Sequence, residues 1–256
     1  MHLYLEPLLK LFDDPPHEDG IGKCIGALNA NMGEGLGLAL LQNKIGNSFT
    51  FIDEPCKEDH NRGGRGKQLD AWAKAKLGGQ DRLLQIEIKN WSAAALGTVN
   101  LSPNARQQSW ETRDYRRKCW NDNFLDFNDY KAFMPWGDHI NKVLRRMVLP
   151  SDFQEKQRKQ VMPVLILWAA MHPEGKSEAL FPVRLPNTRT CRNHVENFGD
   201  FREFWFFSMS SHIRNLHHKN ISSIKVDEEI LQAPKQAVEK LTSDLDIWLK
   251  KFFDGQ

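Results

Sequence analysis

The reading of the fold turns on three consecutive pieces: QLDAWAKAKL at 68–77, GG at 78–79, and QDRLLQIEIKNW at 80–91. A Gly-Gly pair between two alternating runs is a hairpin signal, because both glycines accept positive φ. A turn centred on Gly78 and Gly79 sets Asp70 opposite Glu87 and Gln68 opposite Lys89. The same register joins Leu69 to Ile88, Ala71 to Ile86 and Ala73 to Leu84. Apolar side chains then share one face and polar ones the other, a sorting that a slip of one residue destroys. Asp70 and Glu87 become cross-strand neighbours about 5 Å apart at Cβ, a separation suited to shared coordination of a divalent cation. Ala, Lys and Leu also favour helices, so residues 71–77 admit a helical alternative.

Upstream of the hairpin, residues 3–12 read as a short amphipathic helix and 13–20 as a loop. Residues 22–44 read as a helix with a break around Gly33 and Gly35, and 48–53 as the first strand of a meander. The connection 54–67 is polar and Gly-rich, typical of an exposed loop. Its Arg62, Arg65 and Lys67, interleaved with glycines just before Asp70, are placed to wrap a phosphate backbone; a merely soluble loop accounts for them equally.

Downstream, residues 103–120 have helical character, and Arg106, Arg113, Arg116, Arg117 and Lys118 outnumber Glu111 and Asp114 there. A solvated helix face explains these charges. A helix is expected over 138–147. The run 160–170 is the most apolar in the chain, which predicts a central strand buried on both faces. Residues 179–185 predict an edge strand, because Pro182 cannot donate to a ladder. An aromatic-rich helix is expected over 201–216, a short element from 226 to 230, and a last helix over 234–253 with an apolar stripe of Val238, Leu241, Leu245, Trp248 and Phe252.

These features resemble the core of the PD-(D/E)XK nuclease superfamily, the restriction-endonuclease-like fold. The resemblance covers residues 22–91 best and the rest by topology. It implies an α/β chain with a central mixed sheet: a helix, a three-stranded antiparallel meander, a crossover helix and a further strand. Asp70 matches the first acid of the motif, Glu87 the second and Lys89 its lysine, with Leu69 where many members have proline. Glu34 matches the glutamate that many members carry on the first helix; a first-turn acid favoured by the helix dipole is the alternative reading. The resemblance implies that Asp70, Glu87, the Ile88 carbonyl and Glu34 hold Mg²⁺ or Mn²⁺, that Lys89 orients the attacking water, and that products carry 5′-phosphates. It further implies that the helix after the strand of Lys89 packs beside the active site, which makes Arg106, Arg113 and Arg117, with Gln107 beside them, candidates for phosphate contacts. The expected substrate is DNA rather than RNA, in a defence or repair setting. A homodimer or a partner ATPase or helicase is also implied. A catalytically silent binding or assembly module on the same fold is the competing function.

Composition bounds the remainder. The 256 residues fit one domain, with a core over about 20–190 and a helical extension over about 200–256, and 40% of them are hydrophobic. A net charge of +2 means that any grip on nucleic acid comes from local patches. There is no apolar run long enough to span a membrane and no secretory leader pattern at the N-terminus, so a cytoplasmic protein is expected. Cys24, Cys56, Cys119 and Cys191 form no C-x-x-C pair, which predicts reduced structural thiols. His217 and His218 are adjacent, and adjacent helical residues point apart.

Overall fold

The computed structural model describes residues 2–6, 8, 21–52, 71–89, 149, 153–168, 178–184, 201, 203–228 and 230, with the backbone alone at 21–32, 89 and 184. The hairpin is the part most directly dictated by sequence. Strands β3 (Ala71–Leu77) and β4 (Gln80–Lys89) are antiparallel, with Ala71 opposite Ile86 and Ala73 opposite Leu84. Gly78 and Gly79 have φ of 56° and 77°, the two consecutive positive values that a type I′ turn demands. Strand β2 (Thr50–Ile52) pairs antiparallel with β3 and completes a meander.

Beyond the meander the sheet becomes parallel. Strand β5 (Val161–Leu167) lies parallel to β4, and β7 (Glu203–Ser208) lies parallel to β5. Strand β6 (Leu180–Arg184) closes the sheet antiparallel to β7, giving the order β2-β3-β4-β5-β7-β6. The protein is therefore mixed α/β around a six-stranded mixed sheet. Every residue of β5 is buried, as its unbroken apolar run requires of a strand flanked on both edges and covered on both faces. Pro163 is tolerated inside it because the β7 ladder starts only at Val164, so its missing N–H removes no rung on that side. Pro182 sits on the edge strand and is exposed.

Helix α1 (Ile21–Ile45) runs unbroken through Gly33 and Gly35. Further along it packs closely on the sheet: a Cβ at Gly37 would lie 3.3 Å from Ile88 Cγ2 and 3.4 Å from Ile166 Cγ2. The helix rests on the sheet face formed by Ala73, Leu84, Ile86, Ile88, Val164, Ile166 and Phe207, where the main core lies. A smaller cluster of Trp72, Phe153 and Val161 covers part of the opposite face, with Ile52, Leu83, Leu149 and Phe201 packed against it; the four-residue helix α2 (Glu155–Arg158) lies between Phe153 and Val161 in sequence and buries no side chain.

Three expectations are corrected. Residues 203–208, expected within a helix over 201–216 and within a helical extension, form β7, and only Met209–His218 is helical (α3). The run Phe204-Trp205-Phe206-Phe207 is made of strong β-formers, and its alternate side chains fill both faces beside β5. The segment 3–12 opens instead as strand β1 (His2–Tyr4), because Leu3 pairs with Ile224 of β8 (Ser223–Lys225); helical conformation begins at Leu5. Residues 226–228, where a short element was expected to begin, carry neither strand nor helix, and β8 ends just before them at Lys225. The expected helices over 103–120, 138–147 and 234–253 lie outside the described residues, as do Cys56, Cys119 and Cys191.

Helix α3 is fastened at two points in its first half. Ser208 caps it by accepting from the Ser211 N–H at 3.2 Å. Further along, His212 Nε2 donates to Asn43 Oδ1 of α1 at 3.0 Å, and its ring lies 5.6 Å from that of Phe207. Burial, with Lys44 and Lys219 nearby, lowers the His212 pKa from 6.5 to about 4.

Candidate active site on strand β4

Glu87 and Lys89 are two positions apart on β4, and Ile88 between them turns into the main core at 4% exposure. Glu87 is fully buried. It heads a row that crosses the sheet through Leu165, Phe206 and Phe181, all at 0% exposure. An ionised carboxylate beside so much apolar surface is held only by hydrogen bonds, paired charge or a cation. Lys89 ends the strand opposite Leu167.

The hairpin register carries the pairing to Ala71–Ile86, one residue short of Glu87. Asp70 itself lies outside the described residues, as do Arg62, Arg65, Lys67, Arg106, Gln107, Arg113 and Arg117. Glu34 is described, and it is exposed. It sits well inside the 25-residue helix α1, so the alternative of a first-turn acid does not apply. It lies three residues before Gly37, about 4.5 Å of helix rise from the contact with Ile88. That contact is on the face opposite Glu87. Glu34 and Glu87 therefore belong to opposite sides of the sheet, and α1 does not bring them together across β4.

Two residues on the Glu87 side escaped the sequence reading. Gln85, 2% exposed, is the next position on that side of β4, and Trp72, 4% exposed, is its partner on β3. The period of two that singled out Glu87 and Lys89 also passes through Gln85, which was the available signal. Trp72 packs against Phe153 at 6.1 Å between ring centroids.

Elsewhere, no group of three His, Cys, Asp or Glu side chains suited to a metal occurs among the described residues, a set that excludes Asp70. The His217 and His218 rings are 6.5 Å apart at the exposed end of α3. No helix among the described residues is long and apolar enough to cross a membrane. Comparison with protein families, curated proteins and solved structures finds no match to this chain.

Proposed function

We propose that the protein is a divalent-metal-dependent nuclease of the PD-(D/E)XK type, hydrolysing phosphodiester bonds, of DNA in preference to RNA. The observation that carries this reading is the register: with Ala71 opposite Ile86, the next positions in sequence on the two strands are Asp70 and Glu87. The order of α1, the β2-β3-β4 meander and a parallel β5 supports it, since the resemblance implies that order.

The donor set suits the ion. Two carboxylates and the Ile88 carbonyl are hard oxygen ligands of the kind that Mg²⁺ and Mn²⁺ take. When bound, such an ion supplies a water of lowered pKa and neutralises charge developing on the phosphorus oxygens. The chain's own groups do the rest. Asp70 and Glu87 fix the ion between two strands whose register is set by the Gly-Gly turn. Lys89 orients the attacking water and offsets negative charge in the transition state. Glu34, across the sheet, would reach the site only around the end of β4.

The test is incubation of plasmid and single-stranded DNA with the protein and Mg²⁺ or Mn²⁺, with EDTA, Glu87→Gln and Lys89→Ala as controls. Cleavage by the wild type that both variants and EDTA abolish is expected. Cleavage persisting in Lys89→Ala or in EDTA sinks the mechanism. A second reading, a silent nuclease-like binding or assembly module, is favoured by the complete burial of Glu87 and predicts no cleavage of DNA or RNA. Under the first reading, a second copy of the chain or a motor ATPase would supply the second active site or the specificity.

A further inference from the structure

A second region on the Glu87 side of the sheet has a charge character that the active-site reading does not use. On β3 the alternation that faces Trp72 this way does the same for Lys74 and Lys76, and both are exposed. Between the hairpin and α2 lies a groove of about 570 Å³ whose lining carries three cations, Lys74, Lys76 and Arg82, against one carboxylate, Asp81, with Ser48, Gln157 and Gln160. Lys156 stands exposed on α2, which forms the other wall. Lys74, Lys76 and Lys156 make no ion pair among the described residues, whereas Lys159 is engaged by Glu155 at 3.3 Å. Arg82 is held in place at the wall, donating to the Lys159 carbonyl and to Gln80 Oε1.

The groove combines two ammonium groups and a guanidinium with side-chain amides and a hydroxyl, and its one carboxylate, Asp81, leaves an excess of positive charge. That is the chemistry of a phosphate backbone contact, in which lysines neutralise charge and neutral polar groups hydrogen-bond the oxygens. Its position relative to the site is set by the ladder. Lys74 pairs with Leu83 and Lys76 with Asp81, four and six residues along β4 from Glu87. At about 3.4 Å per residue these lie about 14 and 20 Å from it. A nucleic-acid strand rising about 3.4 Å per nucleotide covers that span in about four to six nucleotides.

We infer that the groove between the β3–β4 hairpin and α2 is a nucleic-acid docking surface, in which Lys74 and Lys76 hold the phosphate backbone about four to six nucleotides from the bond cut at Glu87, with Lys156 of α2 at its margin. The inference rests on the nuclease reading for its distance from the cut and on the groove's own charge for its partner.

The experiment measures binding by fluorescence anisotropy, in EDTA, to duplexes of about 24 and about 8 base pairs, across about 50 to 200 mM salt. The variant is Lys74→Glu/Lys76→Glu/Lys156→Glu, with the triple arginine variant as the charge-conserving control. Expected is a loss of tenfold or more on the long duplex, with a log–log salt slope shallower by about 2 to 3. The arginine variant is expected to bind as the wild type does. Cleavage of long duplex by the glutamate variant should show a raised KM and an unchanged kcat. Unchanged affinity and slope in a glutamate variant of wild-type circular dichroism and Tm overturns the surface. So does a wild type that binds no duplex, or a variant whose only lost ligand is an anionic phosphatidylserine vesicle. Lysine-dependent binding by a wild type that cuts nothing upholds the surface and removes the nuclease reading alone.

Discussion

Ala71 faces Ile86 across the β3–β4 hairpin, and the turn between them is made by two residues of positive φ. Every distance in the candidate site depends on that rung. Asp70→Asn and Glu87→Gln should each remove the rise in Tm that Mn²⁺ gives the wild type, since a ligand that binds only the folded state stabilises it. Each should also lower single-turnover cleavage by about 10²-fold or more. Thermal scans with and without metal check the first, quenched-flow assays the second. A Mn²⁺ shift that survives both substitutions would exclude the carboxylate pair as the ligand set.

The turn is separately testable. Gly78→Asn should be tolerated within about 0.5 kcal/mol, because Asn-Gly is the preferred type I′ pair. Gly78→Val and Gly79→Val place a β-branched side chain at φ of 56° and 77°. Each should destabilise by about 1–3 kcal/mol. Urea unfolding of the three variants measures the difference.

Gly37 is required by proximity rather than by backbone angle. Gly37→Val drives methyl groups into Ile88 and Ile166, whose Cγ2 atoms already lie 3.3 and 3.4 Å from a hypothetical Cβ. A cost of about 1–3 kcal/mol is expected from overpacking. Because Ile88 separates Glu87 from Lys89, the same variant should lose activity beyond its loss of stability. Adding Ile88→Val should restore part of both.

His212 sets an acid limit. Its pKa is lowered from 6.5 to about 4 by burial, then by Lys44 and Lys219. The unfolded chain thus binds the proton more readily than the folded one. The stabilisation is complete above pH 6.5 and is lost as the pH falls towards 4. The total is about 3 kcal/mol. His212→Gln, which keeps a donor for Asn43, should flatten that fall, and urea midpoints from pH 7 down to 4 read it directly.

How much was legible depended on how local the signal was. The hairpin register followed from Gly78 and Gly79 with the alternation on either side, all within one short window. The buried strand β5 was legible from unbroken hydrophobicity, and the edge position of β6 from Pro182. By contrast β7 read as a helix, because aromatic side chains at consecutive positions satisfy either period until the neighbouring strand is known. The pairing of Leu3 with Ile224 joins positions far apart in sequence, and no window contains both. In the candidate site, the place of Glu87 and Lys89 on one strand, two positions apart, was readable from β4 alone. The position of Glu34 across the sheet was not, since it depends on which face α1 covers, and that is decided by the fit of Gly37 against Ile88 and Ile166.

The placement of β7 between β5 and β6 has a consequence for how the chain is made. The meander pairs neighbours in sequence and can form as soon as Lys89 has left the ribosome. Strand β5 then docks on β4, but its other edge stays open until Glu203–Ser208 has been synthesised, because β6 emerges earlier and does not pair with β5. During that interval a wholly apolar strand presents unsatisfied N–H and C=O groups, the template on which chains aggregate. Chains stopped between Arg184 and Glu203 should therefore be insoluble, while those released after α3 should not.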